Sequence, residues 1–284
     1  MDIDQARTFL AIAAHGSFLE AANRLHVTQS TVSARIRNLE SDLGARLFVR
    51  NRGGASLTPA GQRFLKHAKT LVLTVEQARH DLGLPSRYRA SLRVGARIAL
   101  WDGFLPRWVG WLRRTAPDVS LRSEIGFEED LMERMIEGTL DIALMYTPTQ
   151  APELIVEPLF DETLVMVSSS PDTRWPDEDY IYVEWGPGFY ARHREGYPDL
   201  ERPPQVVNIG WLAVQLILAN GGACYLPLRL ARPLIQAGRL FQVTEAPELP
   251  LPAYMVFPRR TESEVLRLAV EGLRELAAAE RALT

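Results

Sequence analysis

The sequence predicts a two-part chain: an all-α amino-terminal head with a small β-wing, carried on a long helix, and a larger α/β body in two lobes. Three observations lead there. The first is charge. Residues 1–89 hold 13 Lys and Arg against 7 Asp and Glu, a net +6, while residues 90–284 hold 19 against 28, a net −9. A basic third on an acidic remainder points to a nucleic-acid-binding head and a body that does not bind nucleic acid. The second is a pair of short helical patterns within Ser17–Leu43, separated by a break too small for a linker. The third is the change of style after Leu92, where short apolar runs alternate with helical ones.

Composition narrows the classes. At 284 residues, 46% hydrophobic and 24% charged, the chain has core enough for one small and one larger soluble domain. It contains no run of 18 apolar residues, and Met1-Asp2-Ile3-Asp4 does not resemble a signal peptide, so the expectation is a cytoplasmic protein with no membrane partner. The one cysteine, Cys224, excludes an internal disulfide framework and a cysteine zinc site, and the five histidines show no metal-ligand spacing. No cofactor and no metal are expected.

In the head, Asp4–His15 reads as a first helix with Phe9, Ile12 and Ala13 inward, stopped by Gly16. Ser17 caps a second helix with Glu20 three residues on, and Phe18, Ala21, Ala22 and Leu25 recur at helical spacing. Thr28 caps a third, with Val32, Ile36, Leu39 and Leu43 on one face and Gln29, Ser30, Ser33, Arg35, Arg37 and Asn38 on the other. Two helices across a tight turn, the second with a polar and basic amino-terminal half, is a helix-turn-helix. Leu47–Val49 and Ala55–Leu57 read as short strands around Arg50-Asn51-Arg52-Gly53-Gly54, a wing able to touch DNA backbone or minor groove.

Thr58-Pro59 opens a long helix running to about Leu82. Phe64, Ala68, Leu71, Val75, Ala78 and Leu82 are spaced 4, 3, 4, 3, 4, a heptad seam that would pair two heads on a two-fold DNA site. The domain reading is 1–58 for the head, 59–84 for the linker helix, 85–91 for a hinge and 92–284 for the body. Strands are expected at Leu92–Gly95, Val119–Ser123, Leu140–Met145, Thr163–Ser168, Tyr180–Trp185, Gln205–Asn208, Cys224–Leu226, Leu240–Val243 and Ala253–Phe257. Helices are expected at Phe104–Thr115, Glu128–Glu137, Ile209–Asn220, Leu228–Gln236 and Glu262–Leu276. About 190 residues is large for one such sheet, which favours two lobes, I (about 92–163 and 258–284) and II (about 164–257), with a ligand cleft between them.

These residues resemble the LysR-type transcriptional regulators over essentially the full length. The carriers are Phe9–Ser17, Ala21-Ala22, Leu25, Thr28-Gln29-Ser30, Val32-Ser33, Ile36, Leu39-Glu40, Leu43-Gly44, Leu47-Phe48, Arg50 and Leu57–Gly61, with Gly138–Ala143 and Gly221–Pro227 fitting downstream. The resemblance implies a winged helix-turn-helix, a linker-helix homodimer or homotetramer, and a two-lobed, periplasmic-binding-protein-like effector domain. The implied partners are double-stranded DNA, a second copy of the chain and a small-molecule effector, with RNA polymerase as a further one. Carried onto this chain, Gln29, Ser30, Thr31, Ser33, Arg35 and Arg37 would face the major groove, and Arg50 and Arg52 the backbone or minor groove. The family often has proline-alanine where this chain has Ser30-Thr31, which implies an altered base preference with binding retained. The implied effector contacts are Arg97, Ala99, Leu100, Trp101, Phe127 and Glu128, joined at strand ends by Tyr146, Trp185 and Asn208. Many members hold a carboxylate with hydroxyl residues at the positions of Ala99 and Phe127. Here both are apolar, so the expected pocket of Trp101, Phe127, Tyr146 and Trp185 suits an aromatic or apolar ligand, with Arg97 supplying any anion contact.

Rival functions are weak. The chain has no phosphate loop, no GxSxG and no HExxH, and Glu128-Glu129 reads as helix capping, so an enzyme is not expected. An effector-independent architectural DNA binder is the alternative, with the two-lobed body as the feature it leaves unexplained. Cys224, in an apolar strand, is expected to be buried and inert.

Overall fold

In the computed structural model, residues 1–51, 54–174, 178–197, 203–260 and 263–281 are described. The chain divides into two compact units, Met1–Pro85 with Glu137–Thr139, and Ser86–Ile136 with Leu140–Thr284.

The first unit is built from α1 (Ile3–His15), α2 (Phe18–Leu25), α3 (Gln29–Leu43), the hairpin β1 (Phe48–Asn51) and β2 (Gly54–Leu57), and α4 (Pro59–Leu82). Each boundary has a local cause. Asp2 accepts from the Gln5 amide while the Gln5 side chain accepts from the Asp2 amide, a capping box that starts α1. Ser17 caps α2 by accepting from the Glu20 amide, but the Glu20 carboxylate turns to Arg24 and does not close the expected box. The turn into α3 runs through His26 at φ 53, the left-handed conformation that ends α2. Phe9 and Ile12 are fully buried and join Phe18, Val32, Ile36, Leu39 and Phe48 in one core, Phe9 packing on Phe48 at 5.1 Å and on Phe64 at 5.0 Å.

Three hydrogen bonds fix the wing. Glu40 Oε1 accepts from the amides of Leu47 (2.7 Å) and Phe48 (3.3 Å), so the third helix holds the start of the hairpin. On the return strand the Ala55 amide donates to Gly16 O at 2.7 Å, which draws β2 onto the end of α1. A Cβ at Gly54 would lie 2.2 Å from that same oxygen, and φ of +130 there is open only to glycine. The wing is therefore welded to α1 by a contact that no larger residue permits.

The heptad seam divides. Phe64 and Ala68 belong to the core of the head, at 9% and 0% exposure, which corrects their expected role as dimer contacts. Leu71 and Ala78 are exposed, Leu82 is 89% exposed and Val75 half-buried, so the outer part of the stripe is what remains for a partner.

The second unit contains β3 (Ala90–Ala96), α5 (Ile98–Trp101), α6 (Phe104–Thr115), β4 (Val119–Ile125), α7 (Glu128–Ile136), β5 (Ile142–Met145), β6 (Leu154–Ser168), β7 (Ile181–Val183), α8 (Pro187–Gly196), β8 (Gln205–Val207), α9 (Gly210–Asn220), β9 (Ala223–Pro227), α10 (Leu228–Gln236), β10 (Phe241–Gln242), β11 (Leu249–Pro258) and α11 (Glu264–Arg281). Among the described residues a seven-stranded sheet runs β10-β6-β11-β5-β3-β4, with β9 also on β6. The fold is two-lobed because two long strands belong to both halves. The first part of β6, opposite Ala253–Pro258 of β11, joins β5, β3 and β4, while its last part pairs with β9 and β10. The register shifts between Ala253 and Tyr254, the bulge that turns the sheet from one lobe to the other. A bridge from Tyr180 to Ala223 attaches the β7–β8 pair to lobe II.

Lobe I is fastened by polar contacts inside an apolar frame. Asp141 accepts from the Arg93 amide at 2.7 Å and from its guanidinium at 2.7 and 3.0 Å, stapling the turn before β5 to β3. Trp108, fully buried on α6, donates to Ala269 O of α11 at 3.1 Å. The expected strands recur with shifted ends. The first part of β6, the first part of β11, α5 and α8 are additions the sequence reading lacked.

Candidate nucleic-acid interface and effector cleft

At the start of α3, Thr28 accepts from the Thr31 amide at 3.2 Å, and its hydroxyl lies 2.8 Å from Ser30 Oγ and 2.9 Å from Thr31 Oγ1. This hydroxyl cluster fixes the two residues that replace the family's proline-alanine. Gln29, Ser30 and Arg37 are exposed, whereas Thr31 and Ser33 are half-buried. Arg35 departs from expectation. Its Nη2 is 2.8 Å from Asp4 Oδ2 and its Nη1 3.4 Å from Thr8 Oγ1, so this guanidinium is committed to α1. An arginine already holding a carboxylate is a poor reader of guanine, because the base would have to replace a charged partner. Arg52 and the side chain of Arg50 lie outside the described residues.

In the body, the expected effector residues do not assemble as one aromatic pocket. Tyr146 (3% exposed) and Trp185 (3%) meet edge to face at 6.0 Å, and the Trp185 indole donates to Tyr225 O at 2.9 Å. They wall a 320 Å³ cavity with Phe189, Arg192, Leu251 and Tyr254, and Trp101 and Phe127 are not among its walls. The Trp101 indole instead donates to Glu124 O at 2.9 Å, and Phe127 lies exposed beneath the Arg97 guanidinium, 4.7 Å from it. Ala99 and Leu100 are buried core residues of lobe I. A larger cavity, 710 Å³, lies on lobe II between α8 and β8, lined by Tyr182, Tyr190, His193, Tyr197 and Val206 among others. Burial lowers the pKa of His193 there and pushes that of Tyr182 up to about 12.

What crosses between the lobes is arginine. Arg97, 6% exposed, sits 3.4 Å from Glu128 Oε1 and donates from Nη2 to Asn208 O in lobe II at 3.1 Å. Arg229, at the first turn of α10 in lobe II, reaches the other way. Its Nη2 donates to Ala99 O at 2.9 Å and to Glu162 Oε1 at 2.5 Å, and its Nη1 donates to Asp102 O. Tyr146 Oη donates to the same Glu162 oxygen at 3.1 Å. Burial raises the Glu162 carboxyl above its ordinary pKa, opposed by Arg229, and burial raises the Tyr146 phenol well above its own.

Glu162 and Arg229 were absent from the sequence-derived site. A signal existed for the first: alternation along β6 buries Phe160 and Leu164 and therefore also Glu162, a carboxylate on an apolar face. Arg229 carries a fainter mark, a cation in the first turn of α10, where the helix dipole disfavours positive charge. Cys224 is fully buried and burial pushes its thiol pKa up, in line with an inert residue.

Comparisons with known proteins agree with this architecture. Residues 3–62 match the model of the bacterial regulatory helix-turn-helix protein, lysR family, and residues 86–278 match the LysR substrate binding domain. The HTH-type transcriptional regulator HdfR of Escherichia fergusonii is 31% identical over 270 residues, 94% of this chain and 95% of that protein. Among solved structures, CbnR, a LysR family transcriptional regulator, matches at a TM-score of 0.67 and 18% identity over 98% of this chain and 99% of its own. Full-length CbnR complexed with its target DNA matches at 0.52 and 20% identity over 98% and 100%. Full-length LysG from Corynebacterium glutamicum with bound effector Arg matches at 0.57 and 21% identity over 98% and 99%. With both parts of the chain matched, one by each domain model, this protein belongs to the LysR family of bacterial transcriptional regulators.

Proposed function

We propose that this chain reads a two-fold promoter site as a homodimer or homotetramer through the amino-terminal half of α3, and that a small molecule in the interlobe cleft controls it. The observation that carries the DNA reading is the exposure of Gln29, Ser30 and Arg37 on a helix whose opposite face, Val32, Ile36 and Leu39, is buried in the head. Gln29 suits bidentate pairing with adenine and Arg37 suits guanine or phosphate. Thr31 and Ser33 border that face, and Arg50 and Arg52 serve the flanking backbone. Leu71, Val75, Ala78 and Leu82 supply the linker-helix contact that sets two heads roughly one helical turn of DNA apart. Controlling transcription places the protein in the cytoplasm, working beside RNA polymerase and catalysing no reaction of its own. LysG with bound effector Arg and CbnR complexed with target DNA support this division of labour between body and head.

A second reading, an effector-independent DNA binder, is favoured by one observation: Arg97 and Arg229 are already engaged by the chain's own carbonyls and carboxylates. Footprinting on the DNA upstream of its own gene, at two salt concentrations and then with a panel of metabolites, separates the two. Two bounded half-sites that survive the higher salt and move with one metabolite are the expected result. Diffuse protection lost with salt overturns sequence-specific regulation in favour of the architectural reading.

A further inference from the structure

Arg229 and Arg97 cross the cleft in opposite directions, and their acceptors on the far lobe are backbone carbonyls. Arg229 leaves the first turn of α10 and ends on Ala99 O and Asp102 O, at the carboxy-terminal end of the one-turn helix α5. Arg97 leaves the start of that same helix and ends on Asn208 O, just beyond β8. Gly103 completes the receptor for Arg229. Its φ is +84, and a Cβ there would sit 3.1 Å from Arg229 Nη1, so any side chain would crowd the guanidinium.

The third partner decides how the contact works. Glu162 is carried by β6, one of the two strands common to both lobes, close to the register shift opposite Ala253 and Tyr254. It is 4% exposed, and Tyr146 Oη donates to the same oxygen that Arg229 engages. A rotation of the lobes about β6 and β11 moves Ala99 and Asp102 away from α10 far more than it moves Glu162, which lies near the pivot. Arg229 can therefore surrender the two carbonyls while its charge stays paired, so opening does not strand a buried cation.

We propose that Arg229, with Arg97 as its counterpart, is a bolt that holds the lobes closed before any ligand enters, so that a ligand of this cleft acts by opening it. The proposal rests on the reading of the cleft as the regulatory site. A ligand seated between the lobes has to take the place of the Ala99 and Asp102 carbonyls as acceptor for Arg229. Occupancy then converts the closed body to the open one. One charge-assisted hydrogen bond shifts such an equilibrium by roughly tenfold or more.

The test uses the full chain with spin labels on introduced cysteines, Glu129→Cys on α7 and Gln236→Cys at the end of α10, both exposed. Labelled chain is diluted into unlabelled chain so that each oligomer holds one pair, and the interlobe distance is read by pulsed electron–electron resonance. The expected result without ligand is one narrow distance in the parent. With Arg229→Ala it becomes a longer, broader distribution, the open population rising roughly tenfold or more. Arg229→Lys keeps a charge beside Glu162 but cannot reach both carbonyls with one ammonium, so it opens too while retaining cooperative melting, and it decides the matter if the alanine variant does not fold. A narrow, unshifted distance in a cooperatively melting variant overturns the bolt. Footprinting of the parent reads the regulatory function separately: diffuse, salt-labile protection alongside a normal distance shift overturns that reading alone.

Discussion

The exposed face of α3 and the interlobe cleft are both lined by arginines and polar side chains, yet they are prepared in opposite ways. On α3, Gln29, Ser30 and Arg37 stand in solvent, and Ser30 Oγ lies 2.8 Å from the hydroxyl of the capping Thr28. In the cleft, Arg97 and Arg229 are buried or nearly so, and each has acceptors on both lobes or on the strand between them. On the proposed function, a face that reads base edges keeps its donors available for them, and a cleft that reports on a ligand gains from donors already spent, because the ligand then has something to displace. Arg35 marks the boundary between the two conditions, since it lies on the recognition helix but is spent on Asp4.

The largest effect that separates the two regions comes from the core of the head. Phe9→Ala removes a fully buried ring that packs on Phe48 and Phe64, and should cost about 3–5 kcal/mol. DNA binding is lost while the unfolding transition of the body stays in place, as seen by calorimetry. A shift of both transitions together breaks the comparison.

Next comes the pair Arg37 and Arg35. Arg37→Ala should weaken the specific site by about 1–3 kcal/mol and random DNA little, measured by fluorescence anisotropy at fixed salt. Arg35→Ala should lower the stability of the head by about 1 kcal/mol or less, since its ion pair is partly exposed, with no change of base preference. If Arg35→Ala alters the preferred sequence, the division between free and spent arginines fails on its own helix.

The body should also carry a pH signature. Burial lowers the folded-state pKa of His193 below its ordinary 6.5, so below about that pH the unfolded chain takes up a proton that the folded chain refuses. The body is therefore expected to lose stability as pH falls from 7.5 to 5.5, and His193→Phe to flatten that slope in thermal melts. An unchanged slope assigns the acid response to other groups.

The smallest effect lies at Glu157, whose carboxyl is held below its ordinary 4.5 by the hydrogen bonds from Arg274. Its folded pKa is the lower one, so its stabilisation is present above about pH 4.5 and lost as pH falls through the folded value. Glu157→Gln should remove under about 1 kcal/mol at neutral pH, because the pair is partly exposed, and should shrink the acid limb of the melting curve.

Features encoded within a turn or two of chain are legible in the sequence. Ser17 and Thr28 as caps, Gly16 and Gly44 as stops, the hairpin around the wing and most of the buried faces of α2 and α3 follow from neighbours a few residues apart and stand in the structure, whereas Leu43, expected on the buried face of α3, is exposed and Leu25 of α2 is half-buried. The order of strands and helices in the body was legible for the same reason. The family was legible in the short motifs from Phe9–Ser17 to Leu57–Gly61, because they lie in fixed order along the chain.

Tertiary structure alone decided how residues far apart divide their labour. Phe64 and Ala68 share a heptad stripe with Leu71 and Leu82, but the nearby core of the head claims the first two. Arg35 lies on the polar face of α3, but α1 brings Asp4 alongside it. Trp101 and Phe127 suit an aromatic pocket by residue type, but backbone and guanidinium partners claim them. Arg229 meets Ala99 across 130 positions of sequence and Glu162 across 67. No periodicity reaches over such separations. Hydrogen-bond donors are assigned by what lies within about 3 Å of them, and that is a property of the folded chain.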